Sequence, residues 1–183
     1  MTKKILNKLF FFSLLISLLF TEKLKSQSNE DLETSDSLLV DDLLSYVEDF
    51  ISLPKGGTPW SVFGETGMDE YPIVDKDGNE WTGVKPVFKD EIKKLDSKEI
   101  LVQGYMFPLD QAEKQSLFLL VPFPLSCPYH PHVSSNLLLE IHAKDPIIFS
   151  YDPVNIRGKL ELVPKDDEYN VFFRLNNAKL VSK

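Results

Sequence analysis

From Lys98 onward the chain runs through five short apolar stretches, most of them alternating, and this pattern constrains the fold more than any other feature. Ile100, Val102, Gly104 and Met106 alternate with Leu101, Gln103 and Tyr105. Leu117–Phe123 is a second apolar run. In a third, Leu137, Leu139 and Ile141 alternate with Leu138, Glu140 and His142. Ile156, Gly158, Leu160 and Leu162 make the fourth, and Val171, Phe173 and Leu175, continuing toward Leu180, make the fifth. A period of two sends alternate side chains to opposite faces of a strand, so one set can line a core. Lys165-Asp166-Asp167-Glu168 turns the chain between the last two. Glycine in the first and fourth runs lets a strand bend sharply. The expected fold is mainly β with an N-terminal helix (α+β). Residues 98–183 would form a small five-stranded OB-like barrel, with a β-sandwich or a split sheet as the alternatives.

Residues 38–97 read as a helix followed by an aromatic-rich segment that wraps the domain. Val40, Leu43, Leu44, Val47, Phe50 and Ile51 recur at three- and four-residue spacing, which predicts a helix over Leu38–Ser52 with a core-facing stripe. Pro54, Gly56 and Gly57 stop it. Thr58–Pro86 is punctuated by glycine and proline, yet Trp60, Phe63, Tyr71 and Trp81 need burial. Asp77-Gly78-Asn79 signals a turn of hairpin type. A short helix over Phe88–Leu95 follows, with Lys89 and Lys93 outward and Ile92 and Leu95 inward.

The other end of the chain carries an address. A lysine-bearing start (Lys3, Lys4, Lys8) precedes the uncharged run Leu9–Phe20, which has the length of a signal-peptide core and falls short of the roughly 20 residues that span a bilayer. Residues 1–26 therefore read as a signal peptide cleaved after Ser26, although Leu24 is larger than the residue expected three positions from the cut. An uncleaved amphipathic or short anchoring helix is the alternative. Residues 27–37 form a flexible acidic leader. Of the 20 basic and 28 acidic residues, five and one lie in the first 26, leaving 15 against 27 and a formal charge of −12. Such a chain repels phosphate backbones, so nucleic acid is excluded as a partner class. The expected location is exported, periplasmic or secreted, with no stable membrane span after signal removal. The remaining 155 or so residues suit one domain with its own core.

Chemistry concentrates in one place. The only cysteine and all three histidines, Cys127, His130, His132 and His142, fall within 16 residues. Cys and His two residues apart can converge on one ion, His132 sits two further on, and the third strand could bring His142 back beside them. One thiolate with imidazoles suits zinc, or copper(I) where sulfur dominates, with Met106 and Glu140 as further ligands or supporting groups. A single cysteine cannot form an internal disulfide, so in an oxidising compartment its thiol needs burial or a ligand. The plain alternative is a stiff Pro128/Pro131 loop with surface histidines around a buried cysteine. A third reading makes Cys127 a nucleophile with His142 as base and Asn136 as orienting group. The pairs Asp41/Asp42, Glu48/Asp49 and Asp166/Asp167 read as solvated faces or turns.

The strand text Gly104-Tyr105-Met106-Phe107-Pro108-Leu109, then Phe118-Leu119-Leu120-Val121-Pro122, then Cys127 and Asn136, resembles a family of uncharacterised exported bacterial proteins that carry a domain of unknown function. Thr58-Pro59-Trp60 and Pro86-Val87-Phe88 are also similar to it, so the resemblance spans about residues 58–163. It implies an envelope location and a β-rich domain, and no activity. Relatives have a proline-rich run where this chain has His130-Pro131-His132-Val133-Ser134-Ser135, and some show Cys-x-x-Cys where it has Cys127-x-x-His130, an exchange that keeps a metal ligand. The functional expectation is an exported non-enzymatic protein that binds zinc or copper through the Cys/His cluster. A metal-free accessory module that docks an envelope protein is the alternative, and a cysteine-dependent enzyme ranks below both.

Overall fold

The computed structural model describes residues 44–74, 76–124, 126 and 132–182. The expected signal peptide, the acidic leader, the start of the Leu38–Ser52 helix, Cys127 and His130 lie outside the described residues. Leu43–Lys183 form one unit. In chain order its elements are the helical turns α1 (Val47–Phe50) and α2 (Trp60–Gly64), strands β1 (Gly67–Val74) and β2 (Glu80–Val87), and the turn α3 (Asp90–Lys93). Strands β3 (Glu99–Pro108), β4 (Lys114–Val121), β5 (Leu139–Ile148), β6 (Val154–Leu162) and β7 (Phe173–Val181) follow, with a 3-10 turn at Ser135–Leu137 before β5.

The five apolar runs are β3 to β7, and they close into a barrel in the order β3-β4-β5-β7-β6, with β6 pairing back onto β3. Only β5 and β7 run parallel; every other neighbouring pair is antiparallel. Counted within the barrel, the order is 1-2-3-5-4 with the third and fifth strands parallel, which is the OB-type arrangement and removes the sandwich and split-sheet alternatives. Ile100, Val102, Met106, Phe118, Leu120, Leu139, Ile141, Ile156, Leu160 and Leu175 fill the interior. At the two strand glycines, neighbouring groups approach the backbone closely. A Cβ on Gly104 would stand 2.7 Å from Leu120 Cγ and 2.9 Å from the Val121 carbonyl oxygen, and one on Gly158 would stand 2.8 Å from Leu175 Cγ. A small barrel brings backbones this close only where a side chain is missing.

One end of the barrel, where β3, β5 and β7 begin, is covered from upstream. Phe63 of α2 packs edge-on against Phe173 at 5.2 Å, Phe88 reaches the same ring at 5.9 Å, and Ile92 of α3 is fully buried, as its spacing predicted. Trp60 donates its indole N–H to the Gln103 carbonyl at 2.8 Å. The Gln103 amide accepts from Ser52 N and donates to Asn155, so the outer face of β3 is sealed by residues 47–60 with its polar groups paired. The predicted helix ends at Phe50, two residues short of Ser52, because Ile51 is already extended. Val47 and Ile51 are buried as predicted, whereas Phe50 of the same stripe is largely exposed.

The wrapping segment is more regular than its composition suggested. It contains an antiparallel hairpin, β1 with β2, paired over eight residues from Gly67↔Val87 to Val74↔Glu80. Gly78 sits in its turn with φ +84°, a conformation that favours glycine. Trp60 and Phe63 are buried as expected, but Trp81 lies on the exposed hairpin face and is 55 % accessible. The hairpin is tied to the β6–β7 connection by Tyr71 Oη donating to Asp167 at 2.5 Å and Val84 N donating to Asn170.

Candidate functional site

β5 sends Leu139 and Ile141 into the core and therefore turns Glu140 and His142 outward. The two side chains, two residues apart on one face, meet: His142 Nε2 lies 2.6 Å from Glu140 Oε1. An ionised carboxylate can only accept, so this bond fixes the proton on Nε2 and leaves Nδ1 as the nitrogen with a lone pair to offer. Parallel pairing places Arg174 of β7 beside Glu140, and its Nε donates to the same Oε1 at 2.8 Å. Arg174 also reaches Asp166 at 3.2 Å and Glu161 at 4.0 Å. Glu140 and Asp166 are nearly buried, and the surrounding carboxylates, Glu140 foremost, raise the Arg174 pKa still further above its ordinary value. His142 is the accessible member, with 43 % of its side chain exposed.

Asp167 is an exposed turn residue, as read from the sequence, whereas Asp166 is largely covered and belongs to the network. Asp166 pairs with Arg174, and Asp167 holds Tyr71 and Lys165. These contacts push the Tyr71 hydroxyl up to about 12 and pull the Asp167 carboxyl below its usual range. Arg174 was missed by sequence reasoning. The available signal was its position: one of only two arginines in the chain, at an outward place between the core residues Phe173 and Leu175.

The predicted site residues separate into three groups. Cys127 and His130 lie outside the described residues. His132 is exposed in the connection between β4 and β5, and His142 stands on the strand that this connection enters. Among the described residues, no group of three or more His, Cys, Asp or Glu side chains is placed to hold a metal ion. Met106 is buried in the barrel interior, and Glu140 bonds His142. Asn136 is placed differently from the orienting role considered for it. Its amide donates to the Gly64 and Thr66 carbonyls at 2.8 and 3.2 Å and its oxygen accepts from Ser134 Oγ, while His142 is held by Glu140. Asn136 is a clamp between the 3-10 turn and α2.

These features define a small OB-type barrel protein with a carboxylate-backed histidine on the outer face of its third barrel strand. The chain belongs to the family described as "Protein of unknown function (DUF3299)", whose model matches residues 73–180. That match agrees with the resemblance to a domain of unknown function, starting later and running nearer the C-terminus. The chain is also similar to a DUF3299 family protein from Pseudomonas aeruginosa PAO1 known from its crystal structure. Identity is 22 %, with 54 % of this chain and 68 % of that one covered and a TM-score of 0.43. No curated protein matches the chain. No helix among the described residues is long and apolar enough to cross a membrane.

Proposed function

We propose that this chain is an exported, non-enzymatic protein that binds one zinc or copper ion through Cys127, His130, His132 and His142. The observation that carries the reading is the Glu140–His142 pair. Histidines that ligate metals characteristically donate their second ring N–H to a carboxylate, which fixes the tautomer and raises the basicity of the ligating nitrogen. His142 has that partner at 2.6 Å, and Arg174 holds the partner in turn. The pair also lies on β5, the third barrel strand, on the face of strands two and three where OB-type barrels commonly take ligands. Periplasmic or secreted residence follows from residues 1–26, and in such a compartment a coordinated thiolate is shielded from oxidation.

Metal content of the purified chain, measured by mass spectrometry after dialysis, tests this reading. About one ion per chain is expected, with loss of the ion in Cys127→Ser and a roughly 10- to 100-fold weaker affinity in Glu140→Gln. Equal metal content in the wild type and Cys127→Ser overturns it.

A second reading, a metal-free module that docks an envelope protein, is favoured by the opposite end of the barrel. There Leu109, Ile148 and Tyr151 are exposed, Tyr151 to 82 %, beside Phe149 and rimmed by Asp110, Glu113 and Asp152. Exposed apolar groups inside an acidic rim suit a partner segment with apolar anchors and basic residues. Ile148→Asp would abolish that contact and leave metal content unchanged.

A further inference from the structure

Further along the outer surface, β7 departs from regular pairing with both of its neighbours. From Ile141 to Ala143 β5 advances two residues while β7 advances three, from Leu175 to Ala178. From Arg157 to Lys159 β6 again advances two while β7 advances three, from Asn176 to Lys179. The extra residue thus belongs to β7, and Asn177 absorbs it with φ +51°. Beside this bulge lies a cleft of about 400 Å³ lined by Glu99, Lys144, Arg157, Asn177 and Lys179.

Its charge is the reverse of the molecule's. Across the chain 28 acids outnumber 20 bases, yet here three cations from three strands meet one carboxylate. Glu99 lies 3.7 Å from Arg157, and among the described residues neither Lys144 nor Lys179 has an ion-pair partner. Like charges gathered in one cleft repel unless an anion enters, and a guanidinium beside two ammonium groups offers the planar fork and point charges that oxyanions take.

We propose that this cleft binds a small oxyanion of the phosphate class, held by Arg157, Lys144 and Lys179 with the Asn177 amide beside them. The acidity of the remaining surface selects for size. A long polyanion would meet repulsion along most of its length, whereas a single phosphate group meets only the cleft. The proposal does not depend on the metal reading, since none of these residues belongs to it.

The test is a titration of the isotopically labelled exported chain with inorganic phosphate at constant ionic strength, following the backbone amide resonances of Asn177 and Lys179. Parallel samples contain phosphatidylcholine vesicles with and without phosphatidylglycerol. Saturable shifts are expected at these two amides and not at core residues such as Leu120. Arg157→Gln and Lys179→Gln should each weaken the apparent affinity roughly tenfold, while the core resonances stay in place as a check on folding. Saturation by free phosphate assigns the site to a soluble oxyanion, and saturation only on phosphatidylglycerol vesicles assigns it to a headgroup. Either result keeps the phosphate chemistry. Shifts that never saturate in either arm, or that persist in the Arg157→Gln/Lys179→Gln double variant, overturn it.

Discussion

Asn136 directs both amide hydrogens onto the Gly64 and Thr66 carbonyls at the end of α2. Asn136→Ala removes two donors and leaves two buried acceptors unpaired, which costs roughly 2–4 kcal/mol of stability, read as a lowered urea midpoint at unchanged slope. An unchanged midpoint would return Asn136 to the list of functional candidates. Tyr71 supplies a second prediction at this scale. Its raised pKa means that the stability it gains from Asp167 is fully present below the ordinary tyrosine value near 10 and is lost as pH rises through about 12. Asp167, depressed by the same bond, holds its share above the usual carboxylate range and loses it as pH falls through its lowered value. Tyrosinate absorbance should therefore include one group ionising near 12 in the wild type and not in Asp167→Asn. Single residues were unevenly legible beforehand. The clustering of cysteine and histidine is a property of the text and can be read there. The bonds of Glu140 to Arg174 join residues 34 positions apart and exist only once β5 and β7 lie side by side.

Elements were legible wherever their period was clean. Four barrel strands follow from alternation, β4 from a short continuous apolar run, and Ile92 from its place in a short amphipathic turn. The turn of the β1–β2 hairpin was legible at Asp77-Gly78-Asn79, but its strands were hidden because they carry Pro72, Pro86, Gly83, Asp69 and Glu70, which weaken the strand signal. The same residues suit a two-stranded sheet with an exposed edge, where prolines and charges discourage pairing with another chain. At Gly104 the prediction concerns backbone approach. Gly104→Ala would press a methyl group against Leu120 and the Val121 carbonyl, for a loss of about 1–3 kcal/mol. The Leu120 contact can give way by changing rotamer, but the carbonyl cannot. Gly104→Ala with the additional change Leu120→Ala should therefore recover little. Denaturant unfolding of the single and double variants checks this, and full recovery would place the strain in the side chain alone.

At the scale of the whole molecule, closure depends on the last strand. β7 lies between β5 and β6 and supplies the only parallel pairing in the barrel. A chain ending at Asn170 should lose cooperative unfolding, bind hydrophobic dyes and sediment as aggregate, because two strand edges are left open. A monomeric product with a sharp transition would show that the other strands close without it. The order of closure has a temporal meaning as well. β3, β4, β5 and β6 can pair as soon as they are made, but the gap between β5 and β6 accepts only residues 173–181, which arrive after the other four barrel strands in any synthesis or translocation from the N-terminus. Folding of this barrel is therefore an event rather than an accumulation. Until the final strand is present the chain has no smaller native form to rest in, and its apolar interior must be kept from other chains during that wait.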